Sequence, residues 1–234
     1  MTTTTAGSGT CTSNFIYTSG SRVFIGQAAH CSGTGAATDT NGCDSGTLPL
    51  GTKVEIEGAS APGTLVYSSW VAMQARGETN PDTCMFNDLG LVELDPADVA
   101  KVNPSLPFFG GPTGINTEGL PAEAKVLSYG NSPLRGGISA LAPKTGVSTG
   151  DQGGGFGHEV YTASPGVPGD SGSGFLDDRG RAVGILSTLN LAPLPGSNTL
   201  ADVGRALAYA NANGNLGTIA LVPGTEPFTS ALPA

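Results

Sequence analysis

Turn-forming residues interrupt this chain so often that long regular elements are excluded. Thirty-seven glycines and seventeen prolines are spread over 234 residues. Proline removes a backbone donor and glycine supplies the conformations tight turns need. The longest such stretch is 95–122, with Asp95-Pro96, Asn103-Pro104, Leu106-Pro107, Gly110-Gly111-Pro112 and Leu120-Pro121. It reads as the crossing between two halves. The apolar runs on either side are short: 14–17, 22–28, 53–57, 63–73 and 88–94 before it, and 124–129, 137–141, 159–162, 172–176 and 182–189 after it. Lys53-Val54-Glu55-Ile56-Glu57 alternates with the period of a half-exposed strand. Residues 1–10 are small and polar and are expected to fray. Only 200–212 has helical spacing, through Leu200, Val203, Leu207 and Ala210, with a stop at 211–214. Many short strands and one terminal helix make an all-β fold, built as barrels or a sandwich.

Charge narrows the partners. The formal net charge is −9 and no Lys/Arg cluster occurs, which argues against nucleic acid and anionic membrane surfaces. No apolar run approaches the length that spans a bilayer. At 38% apolar and 12% charged residues the chain is folded rather than disordered. The opening Met1-Thr2-Thr3-Thr4-Thr5 has no basic and no apolar region, so it is not a signal peptide. The chain is therefore expected to be cytosolic, or a mature segment after removal of its targeting sequence. Four cysteines, Cys11, Cys31, Cys43 and Cys84, lie in the first 84 residues. They contain no C-x-x-C pair, and on a strand the neighbours His30 and Cys31 would diverge, so two disulfides are favoured over a zinc site. That implies an oxidising compartment, with three pairings open. Asp39, Asn41 and Asp44 do not have the spacing of a twelve-residue calcium loop and read as solvated turn residues.

Chemistry concentrates at Gly169-Asp170-Ser171-Gly172. Small neighbours expose the serine hydroxyl and let the Gly169 and Ser171 N–H groups point the same way, as a developing oxyanion requires. Alone the motif is only a turn, and it is not Gly-x-Ser-x-Gly, because Ser173 replaces the second glycine. A serine nucleophile needs a base, and the base needs an acid to hold its tautomer. The chain has two histidines. His158, in Gly153-Gly154-Gly155-Phe156-Gly157-His158, reads as a surface loop residue. His30 closes an apolar run.

Ala28-Ala29-His30-Cys31, Asn87-Asp88-Leu89-Gly90-Leu91-Val92-Glu93-Leu94 and Gly169-Asp170-Ser171-Gly172 occur in one chain order. Together they resemble the chymotrypsin/trypsin-like serine peptidases over residues 11 to about 212. The resemblance implies two six-stranded antiparallel β-barrels with a C-terminal helix. Residues 1–103 would carry His30 and Asp88, and 104–234 would carry Ser171, the helix and the tail. It implies a serine endopeptidase in which Ser171 attacks the scissile carbonyl, His30 moves the proton, Asp88 orients His30, and Gly169 and Ser171 form the oxyanion hole. It also pairs Cys11 with Cys31, which leaves Cys43 with Cys84. Val183-Gly184-Ile185-Leu186-Ser187 resembles a strand of the family, so Ser187 would support Asp88, and Ser187, Thr188 and Leu189 would line the substrate. Pro165 stands where trypsin-like members carry an acid, so small or medium apolar side chains are expected before the cleaved bond.

The chain departs from the family at Gly26-Gln27 and Gly174. It lacks second-half cysteines and an Ile-Val-Gly-Gly start, which points to the bacterial secreted branch. Asp170 then needs a cation other than a freed N-terminus, and Arg135 is the expected one. No cofactor, metal ion, nucleic acid or membrane insertion is expected. The partner is a protein or peptide substrate, and the protein is expected to be a secreted monomer. An esterase or polymer hydrolase with the same three residues, or a silent binding protein on the same fold, is the alternative.

Overall fold

A computed structural model describes residues 1–36 and 39–231. The first half holds strands β1 (Thr2–Thr5), β2 (Gly9–Thr12), β3 (Ile16–Ser19), β4 (Arg22–Gln27), β5 (Lys53–Ile56), β6 (Gly63–Ser68) and β7 (Gly90–Glu93). Helices α1 (Ser69–Arg76) and α2 (Pro81–Phe86) lie between β6 and β7. The second half holds β8 (Lys125–Tyr129), β9 (Pro143–Gln152), β10 (Gly157–Thr162), β11 (Gly174–Asp177), β12 (Ala182–Leu189) and β13 (Asn198–Asp202). Helix α3 (Val203–Asn213) and strand β14 (Ala220–Leu221) follow.

Strands β8 to β13 close into a barrel in the order β10-β13-β12-β11-β8-β9. Its interior packs Val126, Val160, Phe175, Val183, Leu186 and Leu200. Other side chains of β11 and β12, Leu176, Ala182 and Ile185, join a larger apolar cluster with Phe15, Tyr17, Phe24 and Leu91 of the first half and with Val203 and Leu207 of α3. That shared cluster holds the halves together, each large apolar side chain contributing roughly 1.5–3 kcal/mol. Asp202 caps α3 by accepting the Arg205 N–H at 2.7 Å.

The first half is not the six-stranded barrel expected from the sequence. Its seven strands, joined by β14 from the C-terminal segment, form an eight-stranded sheet in the order β14-β3-β4-β7-β6-β5-β1-β2. Both would-be closing edges make contacts elsewhere. At the end of β2, the Thr12 N–H donates to Ser171 O at 2.9 Å and its hydroxyl to Gly169 O at 2.9 Å. The outer edge of β3 is covered by β14, through Ala220 opposite Thr18 and Leu221 opposite Tyr17.

Local expectations are corrected too. Residues 1–10 do not fray, because Thr3, Thr4 and Thr5 pair with β2 on one side and β5 on the other. The strand expected over 63–73 stops at Ser68. Trp70 and Met73, three apart on α1, instead pack against Ala29. Residues 137–141 are not a strand but lead into a 3₁₀ turn, Ser139–Leu141. The C-terminal helix begins at Val203, not 200, because Leu200 and Ala201 belong to β13.

Candidate active site

Strand β4 delivers Ala28 into a 3₁₀ turn, Ala29–Ser32, which carries His30. The Cys11–Cys31 disulfide ties this turn to β2, and Cys43–Cys84 ties the segment around Cys43 to α2. Helix α2 is started by Asn80, which accepts the Thr83 N–H at 2.9 Å, and by Pro81 in its first turn. Its end sets Asn87 and then Asp88 just before β7.

The two ends meet. His30 Nδ1 lies 2.7 Å from Asp88 Oδ2, and the His30 N–H donates to Asp88 Oδ1 at 2.9 Å. The Ser187 hydroxyl, from β12 of the other half, donates to Asp88 Oδ2 at 2.6 Å. Asp88 is buried. Burial alone would raise its pKa, but His30 and Ser187 outweigh it and leave the carboxyl below its ordinary range. Burial alone would lower the pKa of His30, but the Asp88 charge and hydrogen bond outweigh it, leaving the value above that of an ordinary histidine. A carboxylate fixed at Nδ1 orients the ring so that Nε2 is available as a base.

Ser171 shares one cleft with His30, about 740 Å³ in volume. Its walls include Gly166, Val167 and Pro168 on one side and Ser187, Thr188, Leu189 and Asn190 on another. No hydrogen bond joins His30 to the Ser171 hydroxyl among the described residues. Glycine is required on both sides of the Asp170-Ser171 pair. Gly169 has φ +95° and Gly172 has φ +88°, and a Cβ at Gly172 would lie 2.5 Å from Thr12 O. The Gly169 and Ser171 N–H groups donate to no backbone acceptor among the described residues.

Asp170 is fully buried behind this loop and is held by two cations. Arg135 pairs with it through Nη2, and Lys144 Nζ lies 2.9 Å from Oδ2. The Ser132 and Val167 N–H groups donate to it as well, at 3.0 and 3.2 Å. Burial works against the Asp170 charge, and Arg135 and Lys144 more than restore it, so its pKa falls. Lys144 is itself completely buried, and that desolvation lowers its pKa despite Asp170. It also donates to Ser164 O at 3.1 Å and Pro165 O at 3.2 Å. Sequence reasoning missed Lys144, since a lysine in the Gly-containing strand β9 reads as exposed; its only sequence signal is the scarcity of cations available to Asp170.

Ser187, Thr188 and Leu189 line the cleft. Pro165 does not, and its carbonyl instead faces Arg135 and Lys144. Trp70, Met85, Phe86 and Leu191 also line it, and sequence reasoning named none of them for the site. His158 is not on a surface loop. It is fully buried in β10, with Nδ1 2.7 Å from Asp151 and Nε2 2.9 Å from Asp202. Burial opposes its charge, but the two carboxylates prevail and raise its pKa. His158 ties β9 to β13 through Asp151 and Asp202, and none of the three lines the Ser171 cleft. Asp39 accepts the Ala36 N–H, and Asp44 accepts from Asn41, as turn residues do.

A closed six-stranded barrel joined to a second sheet is the architecture found in the chymotrypsin-like serine proteases, and the chain has their fold. Thermobifida fusca Protease A matches with a TM-score of 0.55 at 16% identity, over 95% of this chain and 96% of that one. Nocardiopsis protease matches with a TM-score of 0.54 at 17% identity, over 94% and 96%. Cellulomonas bogoriensis chymotrypsin matches with a TM-score of 0.54 at 16% identity, over 94% and 95%. At these identities the likeness is one of fold. No protein-family profile matches the chain, and no curated protein shows significant similarity to it.

Proposed function

We propose that this protein is a serine endopeptidase that works through an acyl-enzyme. The observation that supports this best is the chain of contacts from Ser187 through Asp88 to His30, ending at the cleft that holds Ser171. In this reading His30 Nε2 takes the Ser171 proton as Oγ attacks the scissile carbonyl. The Gly169 and Ser171 N–H groups hold the oxyanion, each donor worth roughly 3 kcal/mol. Collapse expels the amine, which receives the proton from His30, and water repeats the sequence to release the acid. Asp170, clamped from behind, fixes the peptide that carries both donors.

Residues 1–103 and 104–234 are proposed as the two units of the enzyme. The substrate is a protein or peptide with a small or medium apolar residue before the cleaved bond. Two disulfides suit a secreted protein, and a monomer is proposed.

A fluorophosphonate should label the protein at Ser171, and Ser171→Ala should abolish labelling. Ser171→Ala, His30→Ala and Asp88→Asn should each lower kcat by about 10⁴-fold or more, without additivity, while the fold persists by circular dichroism. Full casein turnover by any of the three would refute the assignment. Turnover of esters but not casein would mark an esterase.

A further inference from the structure

We propose that the hydroxyls of Ser132 and Ser173 are positioning groups for catalysis, each holding from behind a peptide whose N–H faces the developing oxyanion. The proposal rests on the peptidase reading and adds two residues that reading does not use. One peptide joins Pro168 to Gly169 and carries the Gly169 N–H; the other joins Asp170 to Ser171 and carries the Ser171 N–H. The Ser132 hydroxyl donates to Pro168 O at 2.6 Å, and the Ser173 hydroxyl donates to Asp170 O at 2.6 Å. Both peptides are trans. In a trans peptide the C=O and N–H point in opposite directions, so a carbonyl held on one side fixes the N–H on the other. Pro168 and Ser171 line the cleft, whereas Ser132 and Ser173 do not. Carbonyls held by these two serines turn their N–H groups away from them, toward the cleft side.

Both serines are buried and committed. Ser132 Oγ also accepts the Leu134 N–H at 3.1 Å, so its one hydrogen goes to Pro168 O. Its own N–H donates to Asp170 Oδ1 at 3.0 Å, which anchors it on the carboxylate held by Arg135 and Lys144. A Cβ placed on Gly169 would lie 2.9 Å from Ser132 Oγ, so the hydroxyl is packed against the loop. The two carbonyls differ in one respect. Among the described residues Pro168 O has only the Ser132 hydroxyl, while Asp170 O also accepts the Ser173 N–H at 3.0 Å. The peptide between them, joining Gly169 to Asp170, spends its N–H on Val167 O at 2.8 Å and so offers nothing to the cleft. A hydroxyl that only orients an oxyanion donor acts on charge present in the transition state, so its loss slows chemistry without weakening substrate binding.

The test compares Ser132→Ala and Ser173→Ala with Ser128→Ala, on a peptide p-nitroanilide ending in Ala. The Ser128 hydroxyl is also buried and donates to a carbonyl just past the loop, Gly174 O, at 2.8 Å. Ser132→Ala should lower kcat by about tenfold or more while KM stays within about twofold. Ser173→Ala should lower kcat by a smaller factor, because Asp170 O keeps one donor. Ser128→Ala should keep kcat within about twofold of the wild type. The hemiketal formed on Ser171 by a peptidyl trifluoromethyl ketone should ionise at higher pH in Ser132→Ala, as fluorine NMR would show. An unchanged kcat in either serine variant would overturn the proposal for that residue. An equal loss in Ser128→Ala would overturn it altogether, marking a general loosening of the barrel. Should Ser132→Ala fail to fold, a crystal structure of the wild type with a peptide boronate decides. Ser132 Oγ should then hold Pro168 O while the Gly169 N–H meets a boronate oxygen, and a Pro168 O turned away from Ser132 would overturn the proposal. Each of these failures leaves a wild type that still takes a fluorophosphonate at Ser171. A wild type that neither labels nor cleaves would remove the peptidase reading itself.

Discussion

A proton on one nitrogen decides what the His30 imidazole can do. As a base it must be neutral, yet Asp88 favours its charged form and raises its pKa above the ordinary 6.5. The acid limb of kcat/KM against pH should therefore rise through a value above 6.5. The stability contribution of the pair runs the other way. A raised folded pKa stabilises fully below the unfolded value, and the effect is lost as pH rises through the folded one. Enzyme activity should thus increase across the range in which this contribution fades, and Asp88→Asn should move any remaining acid limb down. An acid limb at or below 6.5 in the wild type would contradict this. These residues were legible in the sequence because each sits in a short contiguous motif whose chemistry needs those types together. Lys144 was not, since it meets Asp170 from a strand distant in sequence, and spacing carries no trace of that.

Elements explain why Asp170 needs no charge from a freed N-terminus. The β8–β9 connection brings Ser132 and Arg135, and β9 brings Lys144, onto one buried carboxylate. Sequence reasoning with Arg135 alone implies that its loss strands Asp170, at a cost of roughly 3–5 kcal/mol. With Lys144 in place, Arg135→Ala should cost clearly less than this. Arg135→Ala combined with Lys144→Met should cost the full amount or unfold the protein, as urea denaturation would measure. Equal losses for the single and double variants would show that Lys144 does not share the charge. The Asp170 pKa is depressed, so the clamp's contribution is present above the ordinary carboxylate value of 3.8 and lost as pH falls through the folded one. Element boundaries were less legible than the residues. Leu200 and Val203 fit one helical stripe, yet Leu200 points into the barrel from β13, and only the Asp202 cap marks the change. In α1, Trp70 and Met73 extend an apolar run that reads equally as strand, and their contact with Ala29 favours the helix.

Across the whole molecule, the tail after α3 reaches both halves. Past β14, the Val222 N–H donates to Ile16 O at 2.8 Å, Glu226 O accepts the Gly111 N–H at 3.1 Å, and the Thr229 N–H donates to Phe109 O at 2.8 Å. The tail thus pairs with the crossing that the prolines mark in the sequence. Truncation after Leu221 should lower Tm by several degrees, since a loss of about 1 kcal/mol already shifts a chain of this size by roughly 2–4 °C. It should leave the pH profile of the remaining activity unchanged. An unaltered Tm would mean that these bonds are replaced by water without loss. The open eight-stranded sheet was not legible from the sequence, because an edge strand is defined by what it fails to pair with.

Strand β14 also bears on the order in which the molecule can be made. The outer edge of β3 receives its cover from Ala220 and Leu221, more than two hundred residues downstream. During synthesis the first sheet emerges early but keeps that edge bare until residues 220 and 221 have left the ribosome. The N-terminal half, with His30 and Asp88 already in sequence, waits on those two residues for its final strand. A chain interrupted before residue 220 carries an unpaired edge, the kind of surface on which newly made β-proteins aggregate.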